Sequence, residues 1–245
     1  MSLTYGKVKT GIPGLDSITS GGFRQGRTLV ITGDPGSGKT TFGLQYLYSG
    51  AKDFDEPGVY VSLAQNLEEI KNDCKSFGLD LQNMIQKEKL LMMDARMFKV
   101  NDEIIEKDDS LYRGEQMPFE HLTRLILKCI KRISAKRVVI DSVSVLMMQY
   151  EDKFYLRQGL QGLIQALENS GVTTLLLSES PNDQKPPLEW YAASGIIQLQ
   201  YGRKQDTMER SIQIIKMRGV KHSEQIHPIS FGSDGLQILR PRLMI

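Results

Sequence analysis

Short apolar runs and longer amphipathic stretches alternate along most of this 245-residue chain. Apolar, partly β-branched runs predict strands at 27–32, 58–63, 89–93, 137–141 and 172–178. Between them, apolar residues recur at helical spacing over 13–19, 40–51, 66–76, 118–134 and 154–170. The clearest case is 118–134, where Phe119, Leu122, Leu125, Ile126, Cys129, Ile130 and Ile133 make one stripe at a period of about 3.6 residues. Strand–helix alternation through residue 178 predicts an α/β fold with a mainly parallel sheet and helices on both faces. Strands at 195–201, 210–217, 226–230 and 236–239 follow without helices between them, so a C-terminal antiparallel extension is expected. Two stretches predict loops: 101–117, rich in Asp, Glu and Lys, and 180–188, with three prolines. No linker divides the chain and no repeat is visible, so one domain over 1–245 is expected.

The junction of the first strand and the second helix carries the chemistry. It reads Gly33, Asp34, Pro35, Gly36, Ser37, Gly38, Lys39, Thr40, which fits the phosphate-loop pattern G-x-x-x-x-G-K-[ST]. Glycines at 33, 36 and 38 let backbone amides converge on phosphate oxygens with no Cβ in the way. The helix that opens at Thr40 and Thr41 aims its positive end at the anion. Lys39 is expected on the β- and γ-phosphates, and the Thr40 hydroxyl on Mg²⁺. A glycine turn that merely caps a helix is the competing explanation, but strand, glycine turn and helix occur in the order the motif requires. About 100 residues on, the strand 137–141 ends in Asp141. A strand-final Asp serves a turn just as well. In a parallel sheet after a phosphate loop it is the expected second Mg²⁺ group, the Walker B position.

Composition narrows the classes. Thirty-one basic and 29 acidic residues leave a net charge of +2, which gives no field suited to nucleic acid or a membrane surface. Two distant cysteines, Cys74 and Cys129, form neither a disulfide framework nor a zinc motif. No apolar run approaches the ~18 residues of a membrane helix, and the N-terminus has no signal-peptide pattern, so a cytoplasmic location is expected. Met92, Met93, Met147 and Met148 predict core or interface filling, His121 a solvated helix start, and Trp190 and Tyr191 packing positions.

The chain resembles the KaiC-like ATPases of the RecA/RadA superfamily over nearly its whole length. The resemblance is carried by Thr10-Gly-Ile-Pro-Gly-Leu-Asp16 with Gly21-Gly22, by the phosphate loop, and by the strand from Gly58 to Ser62. Ser76-Phe-Gly78, Asp141-Ser142 and the strand from Leu175 to Glu179 add to it. Its most specific part runs from Glu209 to His222, containing K-x-R-G-x-x-H, followed by His227-Pro228. The resemblance implies a RecA-like ATP-binding fold and a hexameric ring of identical subunits with ATP and Mg²⁺ between neighbours. It also implies nucleotide contacts by Ser76, Lys216, Met217, Arg218, His222 and Ser233, with Lys216 and Arg218 acting across the subunit boundary. Spacing alone favours a plainer role for these cations, a solvated strand edge where lysines discourage aggregation.

One departure bears on rate. The family carries paired glutamates after its second strand, and Ala64 and Gln65 stand there. Gln65 can orient a water but cannot accept its proton, so binding is expected to survive and hydrolysis to be slow. Glu68 and Glu69 suit a helix first turn, while Glu179 and Asp94 are weaker substitutes. Three functions follow: a slow, ring-forming regulatory ATPase or scaffold for another protein, a DNA-associated recombination ATPase, or an autokinase. The 180–188 loop has one lysine and no arginine, which leaves DNA binding unsupported by charge. No phosphosite stands out among the serines and threonines.

Overall fold

The structure, a computed structural model, describes residues 6–97, 99–101, 103–104, 117–180, 186–204 and 206–239. Strands β1 (Lys7–Val8) and β2 (Phe23–Arg24) form a small hairpin-like sheet around helix α1 (Leu15–Ile18). The main sheet is built by β3 (Thr28–Gly33), β4 (Gly58–Ser62), β5 (Leu90–Asp94), β6 (Lys99–Val100), β7 (Glu103–Ile104), β8 (Arg137–Asp141), β9 (Thr173–Glu179), β10 (Gly195–Lys204), β11 (Thr207–Met217), β12 (His227–Gly232) and β13 (Gly235–Ile238). Its spatial order is β13-β12-β11-β10-β3-β9-β8-β4-β5-β6-β7. The run from β10 to β5 is parallel, and both flanks are antiparallel.

Each central strand buries both faces, which is why these strands are continuous apolar runs rather than alternating ones. Leu29 and Ile31 of β3 join Tyr60, Met92 and Val139 in one core. Val30 joins Val59, Val61, Met93, Val138 and Ile140 in the other. Helices α2 (Lys39–Asp53), α3 (Leu67–Lys75) and α4 (Leu81–Gln86) cover the first face. Helices α5 (Phe119–Ile133), α6 (Val143–Met147), α7 (Lys153–Asn169) and α8 (Leu188–Ala192) cover the second. The α5 stripe buries Phe119, Leu122, Leu125, Ile126, Cys129 and Ile130 as its period requires. Asn66 and Asp152 start α3 and α7 by accepting first-turn amides.

The structure corrects several expectations. β10 is not part of the antiparallel extension; it runs parallel to β3, and the reversal begins at β11. Helix α8 begins inside the segment expected to be a loop, at Leu188 just past Pro187; residues 181–185 lie outside those described. Likewise Glu103–Ile104 is a strand within the 101–117 stretch, while 105–116 lie outside the described residues. α4 and α6 span six and five residues, too short for a periodic signal. His121 is buried, with Nδ1 2.7 Å from the Arg124 guanidinium, instead of solvated. Met92 and Met93 are core residues and Met147 packs partly on the second core, as expected of core filling, while Met148 is 82% exposed.

Candidate functional site

The parallel strands end together on one edge of the sheet. Asp94, Ser62 and Asp141 are register partners across β5, β4 and β8, and Gly33 pairs with Glu179 across β3 and β9. Ligands of open α/β sheets bind outside such carboxyl ends. From this edge the chain turns through the phosphate loop into α2. Gly36 and Gly38 take positive φ, 77° and 101°. A Cβ on Gly38 would stand 2.4 Å from Phe231 Cζ, so the loop conformation requires glycine there twice over. The amides of Gly36, Gly38, Lys39 and Thr40 find no acceptor among the described residues, and neither does the buried Ser37 hydroxyl. Unpaired donors around a glycine cradle at a helix N-terminus fit a chain of phosphates.

Lys39 is placed at the mouth of this cradle. Its Nζ donates to the carbonyls of Gly33 and Asp34 at 2.6 and 3.0 Å. Burial holds its ammonium below the ordinary lysine value, against the raising influence of Asp141, Glu179 and Asp34. The Thr40 hydroxyl donates to Asp141 Oδ2 at 2.7 Å, and the Tyr60 hydroxyl donates to the same oxygen at 2.7 Å. Burial and the neighbouring carboxylate push the Tyr60 phenol far up, so it stays a donor. Thr40 and Asp141 therefore offer a hydroxyl and a carboxylate at hydrogen-bond separation, a pair of hard oxygens that suits Mg²⁺ beside phosphate.

Two adjoining cavities of 380 and 390 Å³ share Thr40, Thr41 and Phe77. Arg210 and Phe231 complete the first. Gln65, Cys74 and Ser76 help to line the second. The Cys74 thiol is pushed up to about 12 by burial, so it is inert there. Ser233 sits in the β12–β13 turn on this side, its carbonyl 2.4 Å from where a Cβ of Gly78 would lie. Gln45 of α2 holds that turn through both Leu236 backbone groups, at 3.0 and 2.7 Å.

Among the acids weighed from sequence, Asp94 is engaged by Arg96 at 2.7 Å and Glu68 by Lys71 at 2.6 Å. Glu179 is exposed at the end of β9, where its carbonyl accepts the Thr32 hydroxyl at 2.9 Å. Gln65 is exposed and anchored through Ser62 Oγ, which donates to its carbonyl at 2.7 Å. Ala64 is exposed, and its carbonyl accepts from Arg96 at 3.0 Å.

The remaining predicted residues are elsewhere. Ile212 of β11 aligns through Leu199 with Gly33, but Lys216 pairs with Ile196 and Met217 aligns through Gly195 with Leu29. Through Ile196, Lys216 stands level with Val30, so at about 3.3 Å per residue Lys216 lies about 10 Å and Met217 about 13 Å along the strands from Gly33 of their own chain, with Arg218 one residue beyond. His222 lies in the following loop, beside Ser223, whose amide donates to Ile18 of α1 at 2.9 Å. Lys216 Nζ donates to the Trp190 carbonyl at 2.8 Å. Burial and the Arg218 charge hold its ammonium below the ordinary lysine value.

Sequence reasoning missed Tyr60, Phe77, Tyr201, Arg210 and Phe231. Arg210 Nε donates to the Gly36 carbonyl at 2.9 Å, with the Tyr201 and Phe231 ring centroids 4.1 and 5.0 Å from its guanidinium. Strand pairing brings Tyr201, Arg210 and Phe231 together, and no local pattern marks those three.

A phosphate loop, a hydroxyl–carboxylate pair and a parallel sheet with an antiparallel C-terminal flank define a RecA-like nucleotide-binding fold. Residues 8–242 match the family model "ATPase: KaiC", and the chain belongs to the KaiC ATPase family. It is 31% identical over 236 residues to the circadian clock oscillator protein KaiC of Parasynechococcus marenigrum, covering 95% of this chain and 44% of that one. It is 33% identical over 240 residues to the circadian clock protein KaiC2 of a Synechocystis strain, covering 97% and 41%. The chain therefore spans about half the length of these curated relatives. Among solved structures, a KaiC-like protein from Pyrococcus horikoshii OT3 matches with a TM-score of 0.82 and 32% identity, covering 96% of this chain and all of that one. Among the described residues, no helix is long and apolar enough to cross a membrane.

Proposed function

We propose that this chain binds Mg·ATP at the carboxyl ends of β3, β8 and β9 and hydrolyses it slowly within a ring of identical subunits. In this reading the ring is a nucleotide-dependent assembly that regulates another protein. The observation that carries it is the separation of two basic sets. Lys39 serves the chain's own site, whereas Lys216 and Arg218 stand at the opposite end of the sheet, beyond the reach of their own phosphate loop. Cations that act on phosphate from there act on the phosphate of a neighbour.

Thr40 and Asp141 are the residues that would hold Mg²⁺, which would supply charge neutralisation beside the phosphates. Lys39 leaves the Gly33 and Asp34 carbonyls to meet phosphate, exchanging two neutral acceptors for an anion. Tyr60 keeps Asp141 in place. Gln65, on the cavity wall beside Thr40, can orient the attacking water, but its amide takes no proton, so the step lacks the ~10²–10⁴-fold help of a general base. Arg218 and Lys216 from the neighbour then stabilise charge on the transferring group and couple turnover to assembly.

The test is molecular mass by sedimentation together with ATP turnover. Mg·ATP is expected to drive subunits into rings, because a ligand that binds the assembled state better shifts the equilibrium toward it. Arg218→Ala is expected to weaken that response and Lys39→Ala to abolish tight binding. Mixing the two variants restores interfaces that pair one intact phosphate loop with one intact finger, and with them some turnover. A monomer that holds ATP and is indifferent to Arg218→Ala refutes the shared site.

A further inference from the structure

Helix α8 is bonded to Ser178 near the end of β9 and to Lys216 near the end of β11. Glu189, on this helix, is 1% exposed, although its neighbours Leu188, Trp190 and Ala192 pack on the core without needing an acid. Burying a carboxylate is costly, so its contacts call for explanation. Glu189 Oε1 accepts the hydroxyl of Ser178, the residue before Glu179. Ser178 Oγ lies 3.2 Å from Ser144 Oγ of α6. Ser144 Oγ in turn accepts the Glu179 amide at 2.9 Å. This chain fixes the end of β9 beside the phosphate loop. Glu189 Oε2 has no hydrogen-bond partner among the described residues.

The next residue makes the opposite connection. The Trp190 carbonyl accepts Lys216 Nζ at 2.8 Å. The Ala193 amide closes α8 on the Glu189 carbonyl at 3.0 Å, and the Arg218 amide donates to the Ser194 carbonyl at 2.8 Å. The five-residue helix therefore links the end of β9 beside the chain's own phosphate loop to Lys216, and the Ala193-Ser194 segment that follows it to Arg218.

We propose that Glu189 is a positioning residue that, through α8, sets where Lys216 and Arg218 are presented to the next subunit, and that it rests on and deepens the shared-site reading. Shifting Ser178 moves the Glu189 carboxylate, and with it the carbonyl on which Lys216 is held. The state of one site thereby reaches the next. Coupling of this kind needs a contiguous element that both sites bias, and α8 is bonded to both.

The experiment compares Glu189→Ala, Glu189→Gln and Arg218→Ala, each alone and mixed with Lys39→Ala subunits, reading turnover, Mg·ATP affinity and circular dichroism. Glu189→Ala alone is expected to lose about tenfold in kcat with its own ATP affinity unchanged. Glu189→Gln keeps an acceptor for Ser178 and is expected to retain most turnover. In mixtures, Lys39→Ala subunits present undisturbed Lys216 and Arg218 to the intact phosphate loops of Glu189→Ala subunits, so turnover recovers as it does for Arg218→Ala. If Glu189→Ala turns over like wild type, or stays depressed where Arg218→Ala recovers, Glu189 does not act across the boundary and the proposal is overturned. If neither mixture recovers although wild type turns over, the shared-site reading falls and this inference with it. Should Glu189→Ala fail to fold, Ser178→Ala cuts the same chain from the strand side and carries the same expectations.

Discussion

Arg210→Ala is expected to weaken nucleotide binding about 30-fold although Arg210 belongs to no nucleotide motif. Its Nε donates to the Gly36 carbonyl, and its guanidinium lies over the rings of both Tyr201 and Phe231. A hydrogen bond from a charged donor contributes about 1.5–3 kcal/mol, and a half-exposed cation–ring contact about 0.5–1 kcal/mol. Solvent screens both, so about 2 kcal/mol is a fair value for the brace as a whole. Gly36 holds a φ of 77°, which glycine permits but does not prefer over the alternatives. Contacts, not propensity, therefore keep the loop open toward phosphate. Without the brace the free loop samples other states, binding must reorder it, and 2 kcal/mol of reordering is a factor of about 30 in Kd. The assay is calorimetric titration with Mg·ATP at fixed salt, beside thermal unfolding of the nucleotide-free chain. Arg210→Lys keeps the charge but loses the planar fork that lies over the rings, so it rescues little. Affinity within about twofold of wild type for both variants, with an unchanged unfolding midpoint, refutes the bracing role.

The pH profile of binding reports on Lys39. Its ammonium is held below the ordinary lysine value of 10.5 by burial, and phosphate favours the charged form. Affinity is therefore full below the free-state pKa and falls as pH rises through it, beginning short of 10.5; a flat profile to that pH contradicts the assignment. Gly38→Ala places a Cβ 2.4 Å from Phe231 Cζ at a φ of 101°, so binding is lost and stability falls by at least about 1–2 kcal/mol. Phe231→Ala in the same chain relieves the clash but not the backbone cost, which paired melting curves separate. Gln65→Glu, on the cavity wall beside Thr40, supplies a base and is expected to raise single-turnover phosphate release by up to ~10²-fold. Ala64→Glu gains less, and the reverse order places the attacking water elsewhere.

Local pattern carried the phosphate loop, the parallel core strands and the long helices, because each is written in contiguous residues. Gly33 to Thr40 must be contiguous to wrap a phosphate, and the α5 stripe must recur every turn to bury one face. Asp141 was legible as a strand-final acid, but its bond to Tyr60 depends on β8 and β4 being neighbours in the sheet, and its bond to Thr40 on α2 packing beside β8. Segments of five or six residues escaped, since α6 and α8 hold too few turns to show a period.

Sequence order misled most where tertiary pairing chose the partner. β10 follows a proline-rich stretch and precedes three antiparallel strands, so nothing local says that its mate is β3, over 160 residues earlier. That pairing decides the site. It lays Tyr201 and Arg210 over the phosphate loop while it carries Lys216 and Arg218 to the far end of the sheet. The chain by itself determined where along the sequence a phosphate-loop pattern lies. Strand register decided which cations stand at the phosphate loop and which stand away from it, because register fixes how far each residue of a shared strand lies from Gly33.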